Sequence, residues 1–317
     1  MSFGLSSLGS FYLLLAVHEL GHLAAGMCVG FRCRSLRVGP LLINRPLRVS
    51  LYRGPGALVQ GKAELIPVAT DKLAWRGVAM VLGGPIANTI SAVLLLLLPF
   101  PITVFSGLFI TGSVANGVSD LLPFESRLGV SDGRRIWILL RKLERGQRWL
   151  ALLHLGGQLM DGVLPESLSA DFLAKAIAVR DASADTVKAY ALAYWAAFHQ
   201  HNDAEAGQRL ETCLPYSSHA TPALREALRS DAAVYQARRR KRADLAEQWL
   251  AEIPVTTRNG WIRSRAEAAV LEAKGDVDGA INKLAETETS LLVLPENPHR
   301  ETVLRLVQRW KAELCGC

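Results

Sequence analysis

Between Gly77 and Ser119 the chain carries no Asp, Glu, Lys or Arg, a charge-free run of 43 residues. A helix crossing a hydrocarbon layer needs only ~20 residues. The run is therefore long enough for two crossings, with Pro99, Phe100 and Pro101 supplying the break between them. Another apolar run opens the chain: from Met1 to Phe31 there is no Lys or Arg, and the only acid is Glu19. It does not read as a cleaved leader, because no positive side chain precedes its apolar stretch Phe11–Val17. Three membrane spans are expected, at about residues 5–27, 77–98 and 102–119.

The charges divide with these runs. Residues 1–135 hold 12 Lys/Arg and 6 Asp/Glu, whereas residues 136–317 hold 24 and 23. The first part is built for lipid and the second has the mixed charge of a soluble helical surface. A basic excess confined to the lipid-facing part follows the positive-inside rule and implies no nucleic-acid partner. The connection from Arg32 to Arg76 carries nine Lys/Arg against Glu64 and Asp71, which keeps it cytoplasmic. With three spans, everything after Ser119 is then expected in the cytoplasm of a multi-pass integral membrane protein. Five scattered cysteines without paired spacing agree with a reducing compartment. Within the basic loop, Leu47 to Tyr52 alternates apolar and mostly polar residues, the period of a strand. Either a small sheet resting on the bilayer or an edge that pairs with an extended polypeptide is expected there.

His18-Glu19-Leu20-Gly21-His22 is the chemically strongest feature. On a helix, positions i and i+4 share a face, so both imidazoles can reach one zinc ion with Glu19 beside the open coordination position. Zinc lowers the pKa of a bound water, the glutamate takes its proton, and the same carboxyl can return it to a leaving amine. Ionisable residues within a lipid-spanning helix are costly unless they function. A third protein ligand must come from the same side of the membrane as His22. The residues leave two candidates after the last expected span, Asp132, followed by Gly133, and Asp120.

The pattern resembles the site-2 protease family of intramembrane zinc metallopeptidases. The resemblance rests on His-Glu-Leu-Gly-His in the first span, on Gly83-Gly84-Pro85-Ile86-Ala87-Asn88 opening the next, and on Leu121-Leu122-Pro123 followed by Asp132-Gly133. It covers about residues 1–140. It implies His18, His22 and Asp132 as zinc ligands, Glu19 as catalytic base, and Asn88 as a residue that positions substrate beside the metal. Where that family carries an asparagine ahead of its Asp-Gly, this chain has Asp120, and a longer stretch, Phe124 to Ser131, precedes Asp132. A Gly-Gly-Pro also reads as a helix start with close backbone packing, Pro85 falling in the first turn.

Residues 141–317 are alanine-rich and helix-forming and contain no catalytic motif. Short stretches around Ala206, Ala246 and Ala280 recur at intervals of 40 and 34 residues, the second being the tetratricopeptide period. Each is expected at the turn into the second helix of a hairpin, in an array that binds peptides or protein partners or in a plain helical bundle. The run Arg238 to Arg242 is expected in solvent at a helix C-terminus, and Trp137, Trp149, Trp195, Trp249, Trp261 and Trp310 in the core. The chain as a whole is expected to be mainly α. A multi-pass metallopeptidase core with a small β element after the first span is followed by a soluble, tetratricopeptide-like helical domain. The function expected is zinc-dependent cleavage of a transmembrane or membrane-proximal segment of another protein. The alternative is a non-catalytic membrane-anchored scaffold that recruits partners through its helical array.

Overall fold

The opening apolar run folds as one helix, α1 (Phe3–Cys28), uninterrupted at the His-Glu pair. It stops where Gly30 takes a φ of 81°, a left-handed conformation that glycine adopts without a Cβ penalty. A four-stranded antiparallel sheet follows, made of β1 (Phe31–Val38), β2 (Leu41–Asn44), β3 (Arg48–Leu51) and β4 (Gly61–Pro67) in the order β3-β2-β1-β4. The chain then returns as α2 (Leu73–Leu97) and α3 (Val104–Leu121). In this computed structural model residues 3–44, 47–53, 56–99, 101–126, 129–255, 260–294 and 298–316 are described, so Phe100 of the expected Pro-Phe-Pro break lies outside them. The chain forms two compact units, Met1–His154 and Leu155–Cys317.

Small residues set the helix packing in the first unit. A Cβ on Gly21 would fall on the Gly83 carbonyl, and one on Gly83 would come within 2.6 Å of the Ala25 Cβ. Only glycine lets α1 and α2 approach this closely. Ser10 Oγ donates to the Phe105 carbonyl at 2.9 Å, and Gly112 abuts Leu14, so α3 runs parallel to α1. Arg76 Nε and Nη2 donate to the carbonyls of Val29 and Gly30, clamping the end of α1 to the start of α2. Among the described residues two helices, α1 and α2, are long and apolar enough to cross a bilayer. The third expected span is the helix α3, but it has only 18 residues and is diluted by Ser106, Thr111, Ser113, Asn116, Ser119 and Asp120. Pro85 lies in the middle of α2 and not in a first turn, because the helix begins twelve residues earlier, at Leu73.

The sheet flanks α1 along its length and does not rest across its end. Leu65 meets Gly26, Gly61 meets Glu19, and Gly39 meets Tyr12, whose hydroxyl donates to the Leu58 carbonyl at 3.2 Å. Tyr12 precedes Cys28 by sixteen residues, about 24 Å of helical rise. The alternation at Leu47 to Tyr52 forms β3, yet neither of its faces is buried: Val49 and Leu51 are 63% and 66% exposed.

After α3 a short hairpin, β5 (Glu125–Ser126) and β6 (Gly129–Val130), leads into α4 (Asp132–Leu140) and α5 (Glu144–Met160). Trp137, expected in the core, is 39% exposed and instead carries the guanidinium groups of Arg134 and Arg141 over its ring.

The second unit is wholly helical among its described residues. It contains α6 (Ala170–Ile177), α7 (Ala184–His199), α8 (Asp203–Cys213), α9 (Pro222–Arg238), α10 (Ala243–Ala251), α11 (Gly260–Ala273), α12 (Val277–Val293) and α13 (Pro298–Cys315). Helices α7 and α8, α9 and α10, and α11 and α12 pack as pairs. The recurring stretches lie at the starts of α8, α10 and α12, where Ala206, Ala246 and Ala280 are each fully buried. An alanine at that point leaves room for the partner helix, which explains the repeat in packing terms. The buried carboxylate of Asp231 is paired with Arg265 and accepts from Trp195 Nε1 at 3.2 Å. The basic run is largely consumed in ion pairs, Arg238 with Glu272 and Glu313, Arg239 with Asp203, and Arg242 with Asp244.

Candidate metal centre

His18 and His22 face one another across a turn of α1, with ring centroids 4.6 Å apart and planes at 87°. Their Nε2 atoms are separated by 3.0 Å. Asp132, the first residue of α4, brings Oδ2 to 3.3 Å from His18 Nε2 and 3.2 Å from His22 Nε2. Among the described residues this is the one group of His, Cys, Asp and Glu whose donor atoms converge so closely. Asp132 Oδ2 is buried and makes no hydrogen bond. A tetrahedral zinc ion with ligands about 2.0–2.1 Å away spaces them by about 3.3–3.4 Å. The triangle of two imidazole nitrogens and an orphaned carboxylate oxygen therefore fits zinc in donor type and in size. Burial alone would raise the Asp132 carboxyl, but the two imidazoles facing it more than offset that, and its pKa lies below the ordinary carboxylate range. Asp120 stands further off, with Oδ2 3.8 Å from His18 Nε2 and held by Asn116 Nδ2 at 2.9 Å.

Each of these side chains is placed by a neighbour that packs closely. A Cβ on Gly84 would lie 2.5 Å from His22 Nε2 and 2.7 Å from His18 Nε2, so only glycine leaves space for the two rings against α2. His22 Nδ1 lies 3.0 Å from the Met80 carbonyl and 3.2 Å from the Gly84 amide, inserting the ring into the α2 ladder. Donation to Met80 is the arrangement that leaves Nε2 free to face Asp132. Asn88 is fully buried, with Nδ2 3.2 Å from His18 Nδ1.

Asp132 reaches the histidines because Ser131 and Gly133 fix the start of α4. Ser131 Oγ donates to the Leu122 carbonyl at 2.7 Å and accepts from the amides of Phe124 and Arg134 at 3.1 and 3.2 Å, tying this N-terminus to the end of α3. A Cβ on Gly133 would strike the Leu121 carbonyl, so this glycine serves close approach and not a turn. Glu19 is buried, accepts the Ala63 amide of β4 and lies close enough to feel the charges of His22, His18 and Asp132. Gly61 makes room for it, since a Cβ there would fall on its carboxylate. Motif reading missed Gly61, Ser131 and the Met80 carbonyl. Their only signals were a glycine near a strand and a Ser-Asp-Gly that is also an N-cap.

Paired apolar helices, a His-Glu-x-x-His turn and an aspartate arriving from a later helix are the parts of a membrane metallopeptidase. The chain belongs to Peptidase family M50, the site-2 protease family of membrane zinc metallopeptidases, which it matches over residues 7–276. The match runs well beyond the motifs at residues 1–140 and into the second unit. No curated protein and no solved structure matches the chain. Nothing in these comparisons identifies the helical unit as tetratricopeptide.

Proposed function

We propose that this protein is an intramembrane zinc endopeptidase in which His18, His22 and Asp132 hold the metal and Glu19 is the catalytic base. The observation that carries the reading is the triangle of Nε2, Nε2 and Oδ2, with edges of 3.0, 3.3 and 3.2 Å, on a helix apolar enough to span a bilayer. Zinc held by this set would lower the pKa of a water molecule and polarise a peptide carbonyl. Glu19 then takes a proton from the attacking water and returns it to the departing amide nitrogen. His22 lies six residues before the end of α1, about 9 Å of rise. The reacting bond is accordingly one that sits at membrane depth or just outside it.

The substrate is a transmembrane or membrane-proximal segment of another protein. A helical substrate has its carbonyls bonded internally and must unwind before attack. The exposed strand β3 offers an edge on which an extended segment could be held. Three crossings by α1, α2 and α3 would place the chain after residue 119 in the cytoplasm, agreeing with the nine cations of the Arg32 to Arg76 connection. A domain at about residues 1–140 would carry the chemistry, and the helical domain at 141–317 would recruit protein partners. No nucleic acid is involved.

The test is Glu19→Gln, which keeps the metal ligands and removes the base. Termini of membrane proteins are compared in cells carrying wild type or variant, and zinc is measured in both purified proteins. The proposal expects stoichiometric zinc in both and substrate cleavage only with the wild type. Cleavage unchanged in Glu19→Gln refutes it and leaves the anchored scaffold.

A further inference from the structure

We infer that Asn88 acts through His18, its amide oxygen accepting the Nδ1 proton and so fixing the tautomer in which Nε2 is free to bind metal. The inference rests on the metallopeptidase reading and assigns a positioning residue within it.

The argument begins with the proton count. A neutral imidazole carries one proton, so a ring that presents the Nε2 lone pair must carry that proton on Nδ1. For His22, Nδ1 lies between the Met80 carbonyl at 3.0 Å, which can only accept, and the Gly84 amide at 3.2 Å, which donates, and Nε2 is free when the ring proton goes to Met80. For His18 the partner is the side-chain amide of Asn88 at 3.2 Å. An amide can face the ring with either end. With Nδ2 towards Nδ1 it donates, which would place the imidazole proton on Nε2, pointing at Asp132 and His22. With Oδ1 towards Nδ1 it accepts, and Nε2 is free.

Metal binding through Nε2 selects the second arrangement, because it requires the ring proton on Nδ1. Asn88 is fully buried, and its Oδ1 is a buried oxygen without a hydrogen-bond partner. A half-turn about Cβ–Cγ exchanges Oδ1 and Nδ2 with little change of shape. It lets Oδ1 accept from Nδ1 and moves Nδ2 to the side where Oδ1 had no partner, so the arrangement is chosen by the proton location that metal binding requires. Gly117 of α3 closes over this point, its missing Cβ lying 3.9 Å from the Asn88 Cβ, so the amide is walled in and acts on His18 directly. Outer partners of metal-bound histidines set ligand basicity and ring orientation, and their loss costs 10–100-fold in metal affinity.

The experiment measures zinc affinity of the full-length protein in detergent by competition with a chromophoric chelator, with the cobalt(II) absorption spectrum as a second readout. The variants are Asn88→Asp, whose carboxylate can only accept, and Asn88→Leu, which matches the volume and offers no acceptor. Asn88→Leu is expected to bind zinc about 10–100-fold more weakly and to shift the cobalt spectrum, whereas Asn88→Asp stays within about threefold of the wild type. Should the leucine variant fail to fold, Asn88→Ala replaces it in the same comparison. Wild-type affinity in Asn88→Leu overturns the assignment. Equal losses in Asn88→Asp and Asn88→Leu with unchanged circular dichroism also overturn it, since the residue would then serve packing alone. A folded wild type that takes up no stoichiometric zinc overturns the metallopeptidase reading itself, and this assignment with it.

Discussion

Adding one methyl group at residue 84 tests the site at its tightest point. In Gly84→Ala the new Cβ would lie 2.5 Å from His22 Nε2, 2.6 Å from His22 Cε1 and 2.7 Å from His18 Nε2. Carbon atoms in comfortable contact are about 3.5–4.0 Å apart, so each ring must retreat by about 1 Å or α2 must move away. Metal ligands tolerate displacements of only about 0.2 Å. Holding both rings in place against the methyl group costs about 1–3 kcal/mol of overpacking. At 1.4 kcal/mol per factor of ten, that is about 5- to 150-fold in zinc affinity. Helix stability moves the other way, because alanine is favoured over glycine in a helix interior by about 0.5–1 kcal/mol. Zinc affinity and thermal stability are therefore expected to part company in this variant. Gly156→Ala is the control: its Cβ meets no atom within 4 Å, so it should gain stability and leave zinc affinity alone. Chelator competition and thermal unfolding of both proteins make the comparison. Zinc affinity within about twofold of wild type in Gly84→Ala would refute the placement of the two rings against α2.

Asp132→Ala is expected to lose stoichiometric zinc and Asp120→Ala to retain it, by metal analysis of the purified proteins, because Asp132 faces both imidazoles and Asp120 only one. The reverse result would move the third ligand to Asp120. In the helical unit, burial takes the His199 imidazole down to about 4, whereas an unfolded histidine titrates near 6.5. Between these values the unfolded chain binds a proton that the folded one refuses. Stability is thus complete above about 6.5 and falls as the pH drops towards 4, by up to about 3 kcal/mol at 1.36 kcal/mol per unit. Chemical denaturation of the helical unit's fluorescence signal at several pH values reads this loss, and His199→Gln should flatten it. A slope unchanged in His199→Gln would assign the acid sensitivity elsewhere.

Sequence order alone placed much of the candidate site. His18 and His22 share a helix face because the α-helix has 3.6 residues per turn, and a charge-free run of 43 residues has few folded forms open to it. Local rules also located the turns into α8, α10 and α12, where a buried alanine recurs. These features are legible because they depend on neighbours within one or two turns. The choice between Asp132 and Asp120 does not. Both follow the third apolar stretch, and what separates them is a hairpin, a serine that ties α4 to α3 and a glycine pressed against the Leu121 backbone.

The same holds for the sheet and for α3. Alternation along Leu47 to Tyr52 marks a strand but says nothing of what covers it, and β3 proved exposed on both faces. The flanking position of the sheet along α1 depends on Gly39 and Gly61, each of which acts only through a residue far away in the chain. Hydropathy measures lipid affinity, not packing, so α3 was expected as a span of the same kind as α2 and emerged as a shorter, more polar helix against α1. What the amino-acid order determined by itself was the donor types and the helices that carry the two histidines and the glutamate. Tertiary structure decided which aspartate faces them, which glycines let the helices close, and which histidine a buried amide meets. Those choices are fixed by distances across the fold, which no local pattern encodes.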